Sequence, residues 1–236
     1  MAEPRSTNIA RIVPHVARAT REANLAQGGV TVWFTGLSAS GKSTVALLVD
    51  QLLTDRGHHC CVLDGDNIRR GLNSDLGFSP EDRNENIRRI GEVAKLFATN
   101  GSIALTAFIS PYREDRERNR RIHGPGDFIE VYVECPLEVC EARDPRGLYA
   151  KARSGEIPEF TGVTAPYEPP LDAEIVLRTD RETEDESAAR VVAYLEANGY
   201  LDAAGHASPR ALRRTKSTDR LGAVAAGPLT PSTERR

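Results

Sequence analysis

The spacing Gly36-Leu37-Ser38-Ala39-Ser40-Gly41-Lys42-Ser43, followed by Thr44, is the part of this chain best suited to chemistry. It fills every position of the pattern G-x-x-x-x-G-K-[ST], which binds a nucleoside triphosphate. A polyphosphate carries several negative charges. A loop of backbone N–H groups ahead of a helix N-terminus wraps such a group without steric interference. Gly36 and Gly41 permit backbone angles and a closeness of approach that a Cβ would block. Lys42 brings a mobile cation toward the β- and γ-phosphates, and the Ser43 hydroxyl is placed to hold Mg2+.

A second set of residues sits where an acceptor would bind. The apolar run 59–64 ends in Asp64-Gly65-Asp66-Asn67, and ligands of open parallel sheets lie beyond the carboxyl ends of the strands. Two carboxylates there can hold Mg2+ through water and take a proton from an attacking hydroxyl. Asp66 or Asn67 could equally cap the next helix. Arg69, Arg70, Arg83, Arg88 and Arg89 supply guanidinium forks for phosphate or sulfate, and Phe78 could stack on a base. Arg83 and Asn86, three apart, share a helix face. Ser110, at the end of another strand, could contact an acceptor, cap a helix or act as a nucleophile. No His or Cys at suggestive spacing activates it.

These side chains need a scaffold, and the periodicity supplies one. Apolar strands are predicted over 30–35, 59–64, 102–108, 128–133 and 174–178. Helices are predicted over 42–55, 82–99, 112–122, 136–142 and 184–197. This alternation predicts an α/β fold with a parallel sheet covered by helices on both faces. Ile87, Ile90, Val93, Ala94 and Phe97 fall at helical spacing, so helix 82–99 buries one face. The stretch 144–172 interrupts the pattern with Pro145, Pro158, Pro166, Pro169 and Pro170. It mixes Arg146, Lys151 and Arg153 with Tyr149, Phe160 and Tyr167, which reads as a lid over about 144–168 rather than a linker.

Bulk properties narrow the field. The 236 residues suit one α/β domain over 28–201, preceded by an extension (1–27) in which a short helix is expected. From 202 onward an Ala/Gly/Pro-rich basic tail reads as disordered. A net charge of −3 gives no pull toward nucleic acid, and no apolar run is long enough to span a bilayer. Without an apolar leader the chain reads as cytoplasmic. Cys60, Cys61, Cys135 and Cys140 then read as buried free thiols. Two classes of function stay open on the residues alone: a kinase of a small acceptor, such as a sugar acid or nucleoside, and a nucleotide-dependent switch. The arginine cluster and the paired aspartates argue against the switch, which needs no second-substrate pocket.

Taken in order, these blocks resemble the adenylylsulfate kinase family, with P-loop NTPase-like architecture. The resemblance rests on Gly36 to Thr44, Leu63-Asp64-Gly65-Asp66-Asn67-Ile68-Arg69, Gly77-Phe78-Ser79, Asp82-Arg83, Glu85 to Ile90 and Phe108-Ile109-Ser110-Pro111. It continues through Gly147-Leu148-Tyr149, Lys151 to Ile157 and Phe160-Thr161-Gly162. It implies that Gly36 to Thr44 bind ATP. It further implies that adenylylsulfate is held by Asp66, Asn67, Ile68, Arg69, Phe78, Arg83, Asn86, Ile109, Ser110 and Phe160. The family usually has Lys where Arg146 stands; the cation is kept, but its reach differs. Ser110 matches a position described as a phosphoserine intermediate in bacterial relatives, although direct in-line transfer is physically simpler. The expected mechanism uses Lys42, Asp64, Asp66 and Ser110, with Mg2+ on Ser43 and Asp64. A homodimer and a functional association with ATP sulfurylase are also implied; no sulfurylase segment is legible here.

Overall fold

In the run Val30-Thr31-Val32-Trp33-Phe34-Thr35, alternate residues face opposite sides of a strand. Val30, Val32 and Phe34 enter one apolar cluster and Trp33 the other, and all six residues are buried. Only a central strand covered on both faces has that pattern. A computed structural model describes residues 14–201. The elements run α1 (Arg18–Asn24), β1 (Val30–Thr35), α2 (Lys42–Asp55), β2 (Cys60–Asp64), α3 (Gly65–Ile68), α4 (Pro80–Thr99) and β3 (Ile103–Ala107). They continue α5 (Arg113–Ile122), β4 (Phe128–Glu134), α6 (Leu137–Arg143), α7 (Leu148–Arg153), β5 (Ile175–Arg178) and α8 (Glu184–Ala197).

The five strands pair in parallel in the order β2-β3-β1-β4-β5. Helices α2 and α8 cover one face, where Val45, Val49, Leu53, Val191 and Leu195 meet Val32, Phe34, Leu105 and Val131. Helix α4 covers the other, with Ile87, Ile90 and Ala94 against Trp33, Leu63, Ala104 and Phe128. Ser79 caps α4 by accepting from the Asp82 N–H, with Pro80 as its first residue. The strand order reverses beside β1, so the carboxyl ends of β1, β2 and β3 open into one crevice.

The three-layer architecture expected from the sequence is the one observed. Two short helices were not expected. α3 follows β2 directly, and Asp64, rather than Asp66 or Asn67, caps it by accepting from the Asp66 N–H. α7 lies inside the proline-rich stretch, where the Asp144 carboxylate accepts from the N–H groups of Leu148, Tyr149 and Ala150. The expected N-terminal helix corresponds to α1. Arg18, itself held by Glu22 one turn on in the same helix, fastens it to Asp127 and the Gly29 carbonyl. The tail from 202 and the first thirteen residues lie outside the described residues. All four cysteines are free; Cys135 and Cys140 are buried, while Cys60 and Cys61 are only half-buried. Burial pushes the Cys60 and Cys140 thiols up to about 12, so neither is poised as a thiolate.

Candidate active site

The chain leaves β1 at Thr35 and enters α2 at Lys42, and the turn between them is held on all sides. Gly36 has φ 153°, and a Cβ there would stand 2.5 Å from the Val133 carbonyl oxygen. No side chain fits. Gly41, at φ 102°, precedes α2 with no side-chain cap, so nothing from the loop competes for the first-turn N–H groups. Tyr149 donates its hydroxyl to the Ser38 carbonyl (3.0 Å), and Thr179 Oγ1 donates to the Ser40 carbonyl (2.7 Å). Arg143 in turn holds the Thr179 carbonyl at 2.5 Å. The Ser40 hydroxyl is buried and without a partner among the described residues, a polar atom waiting for a ligand.

Lys42 is 7% exposed and its Nζ donates to the Leu37 carbonyl at 2.6 Å. Burial lowers its pKa to about 8, against the opposing pull of Asp64 and Asp66. A bound polyphosphate, as a nearby negative charge, would raise it again. Beside it, Ser43 Oγ donates to Asp64 Oδ2 at 2.7 Å, joining the start of α2 to the end of β2. Two hard oxygen groups at that separation fit Mg2+, which keeps several waters and takes its remaining ligands from phosphates. No cluster of three or more His, Cys, Asp or Glu exists among the described residues, so an all-protein cage is not on offer.

The acceptor side is built from longer reaches. Asp66 pairs with Arg146 across from the lid segment. Arg69 donates to the Leu76 and Gly77 carbonyls and lies 4.4 Å from the centre of the Phe78 ring. Phe78 itself is 68% exposed. Arg83 donates to the Phe78 carbonyl (2.8 Å), the Glu159 carbonyl (2.5 Å) and Thr161 Oγ1 (3.1 Å). It therefore ties the residue bearing one candidate aromatic to both neighbours of the other. Phe160 is buried edge-on against Tyr149, ring centres 5.0 Å apart. Asn86 is buried, and Asn73 Nδ2 donates to its Oδ1 at 2.9 Å. That commits Asn86's oxygen and leaves its NH2 as the group to meet an anion. Arg88 and Arg89 instead pair with Glu85, and Arg89 also with Asp75.

Ser110 does not cap α5; Tyr112 holds that position with no side-chain bond. Its backbone sits at φ 39°, unusual for a residue with a side chain. Its Oγ accepts from Trp33 Nε1 at 3.1 Å, and the residue is 1% exposed. Thr35 Oγ1 donates to the Ile109 carbonyl at 2.7 Å, so the last residue before the phosphate loop touches this turn. Asn67 and Ile68 lie in α3, between Asp66 and Arg69. Sequence reasoning missed Asn73, Arg143, Asp144, Thr179 and Arg116. None is set apart from its polar neighbours by type or spacing, and only Asp144, four residues ahead of a short apolar run, left a capping signal.

Fold and loop together define a P-loop kinase: a parallel sheet, a phosphate cradle, and a cation-lined crevice beside it for a second substrate. The family model described as adenylylsulphate kinase matches residues 28–178, and the chain belongs to that family. A probable adenylyl-sulfate kinase of Halalkalibacterium halodurans is 56% identical over 195 residues, covering 81% of this chain and 96% of the relative. The adenylyl-sulfate kinase of Clostridium acetobutylicum is 51% identical over 201 residues, covering 85% and 100%. Among solved structures, the Mycobacterium tuberculosis APS kinase CysC in complex with AMPPNP and APS aligns with TM-score 0.69 and 51% identity. That alignment covers 72% of this chain and 99% of CysC.

Proposed function

We propose that this chain transfers the γ-phosphoryl group of ATP to the 3′-hydroxyl of adenylylsulfate, giving 3′-phosphoadenylylsulfate and ADP. The carrying observation is the Ser43–Asp64 contact at 2.7 Å, which sets the metal-competent end of the phosphate cradle two residues from Asp66. Phosphoryl transfer depends on positioning and charge neutralisation. Lys42 and the loop amides hold the β- and γ-phosphates. Ser43 and Asp64 would hold Mg2+, which neutralises charge on the transferring group when bound. Asp66 orients the acceptor hydroxyl and takes its proton. Arg69, Arg83 and Asn86 grip the phosphosulfate, Phe78 and Phe160 flank the adenine, and Asn67, Ile68, Ile109 and Ser110 complete the wall. Arg146 closes over from the lid.

The surroundings of Ser110 favour direct in-line transfer over a phosphoserine intermediate. Its hydroxyl is buried, accepts the Trp33 N–H and has only the Phe108 carbonyl, at 3.5 Å, as acceptor for its own proton. Among the described residues, no base is hydrogen-bonded to it. As the resemblance implies, we further propose a homodimer working in the cytoplasm beside the ATP sulfurylase that supplies its substrate. Among the described residues, no helix is long and apolar enough to cross a membrane. The test is an acceptor screen by coupled ADP release with adenylylsulfate, AMP, nucleosides and sugar acids. Adenylylsulfate alone should support efficient turnover; equal turnover with a sugar acid, or ADP release that needs no acceptor, would reject the assignment.

A further inference from the structure

Helix α5 reads Arg-Glu-Asp-Arg-Glu-Arg-Asn-Arg-Arg-Ile, which looks like a solvated charged face. Of its five arginines only Arg116 is buried, at 2% exposed. A buried guanidinium persists only where its donors are satisfied. Arg116 satisfies them in three directions. Nε donates to Glu130 Oε1 at 2.6 Å, Nη1 to the Ser110 carbonyl at 2.6 Å, and Nη2 to the Glu168 carbonyl at 2.7 Å. Glu130 lies on β4, Ser110 just past the end of β3, and Glu168 on the strap 165–170, where the lid segment ends and rejoins the body of the domain. The planar fork sets all three directions at once, which an ammonium cannot do.

The same strap is fastened to the same turn at further points. The Glu168 N–H donates to the Pro111 carbonyl (2.9 Å), and Arg113 donates to Glu168 Oε2 (2.8 Å) and the Pro169 carbonyl (2.7 Å). Tyr167 meets Thr35 Oγ1 at 3.0 Å. Since the Thr35 proton goes to the Ile109 carbonyl, the phenol donates. Arg116 is the one member whose contacts are buried on the Ser110 side, where the backbone holds its left-handed angle.

We propose that Arg116 is a positioning residue for the acceptor: its buried fork fixes the Ile109–Ser110 turn to the strap 165–170 and so sets the wall against which adenylylsulfate is aligned. The inference rests on the reading that Ile109 and Ser110 face the acceptor. Steady-state kinetics of the full chain with ATP and adenylylsulfate test it. Arg116→Lys keeps the charge and loses the fork. It should raise KM for adenylylsulfate about tenfold and leave KM for ATP within about twofold. No change in either, or an equal rise in both, overturns the proposal, because a merely structural role has no reason to favour one substrate. Should Arg116→Lys fail to fold, Glu130→Gln carries the test: an acceptor-specific rise of about threefold supports it, and no rise overturns it. Phe78→Ala separates the two levels. If it leaves KM for adenylylsulfate unchanged, the acceptor reading itself falls. If Phe78→Ala raises it and Arg116→Lys does not, only the role of Arg116 falls.

Discussion

The donor and acceptor sides of the crevice are held by different means. The phosphate loop is largely buried and braced through its carbonyls by Thr179, which follows β5, and by Tyr149, the buried part of the lid segment that stays packed on the loop. The acceptor side is mixed: Asn86, Phe160 and Ser110 are buried, but Asp66 to Arg146 and Arg83 to Glu159 and Thr161 join separate segments through long side chains, with Phe78 largely in solvent. Exposed ion pairs contribute little, about 0–1 kcal/mol each. The donor side is therefore organised before any ligand arrives, whereas the acceptor side is completed by its substrate and the lid. Closure of 144–168 only over a bound acceptor would keep water from the terminal phosphate.

The largest expected effect lies on the donor side. Lys42→Ala should lower kcat/KM by at least about a thousandfold, because a desolvated cation at the reacting phosphate is among the largest catalytic contributions. The variant's melting temperature should not fall, since burial of the ammonium is itself costly. Activity within about tenfold of the parent would break the distinction between the two sides.

A smaller effect concerns pH. Lys42 without ligand has a pKa near 8, lowered by burial. Bound phosphates favour the charged form, so binding draws a proton to Lys42 once the pH exceeds that value. Affinity for ADP should fall by about eightfold between pH 7.5 and 9, the direction set by loss of the cation. Titration calorimetry in buffers of different ionisation enthalpy would also show the proton uptake. A flat profile would mean that Lys42 keeps its charge in the empty site.

The smallest effect is expected at the lid. Arg146→Ala removes an exposed partner of Asp66 and should raise KM for adenylylsulfate only about threefold. Arg146→Lys should recover most of the loss. A loss of a hundredfold would mean that the lid is as firmly built as the phosphate loop.

The same contrast governs what could be read in the sequence. The donor loop is contiguous, and each residue type there has one physical reason to be present, so Gly36 to Thr44 were legible in full. The sheet and its covering helices were legible because strand and helix periods differ and each buried face shows its own period. On the acceptor side, Asp66, Arg83 and Asn86 stood out by type, but their pairings did not. Asn73, which holds Asn86, is one asparagine in a polar turn. Arg116 is hidden among four other arginines on a helix whose periodicity suggests solvent. Helix α7 escaped because its N-terminus is organised by Asp144, in a stretch where Pro145 and Gly147 signal a turn. Apart from Asp144, most of what was missed acts on partners from thirteen to well over a hundred residues away, such as Asn73 on Asn86 and Thr179 on Ser40, which spacing does not encode.

The claim of two separately built half-sites is tested most directly at Arg83, whose side-chain hydrogen bonds go to Phe78, Glu159 and Thr161 and none to the phosphate loop, so that it joins Phe78 to the lid. Dissociation constants of Arg83→Ala for ADP, and for adenylylsulfate in the presence of ADP, should be measured by titration calorimetry. Adenylylsulfate should bind at least about tenfold more weakly while ADP binding stays within about twofold. Weakening of both ligands by the same factor would contradict the account.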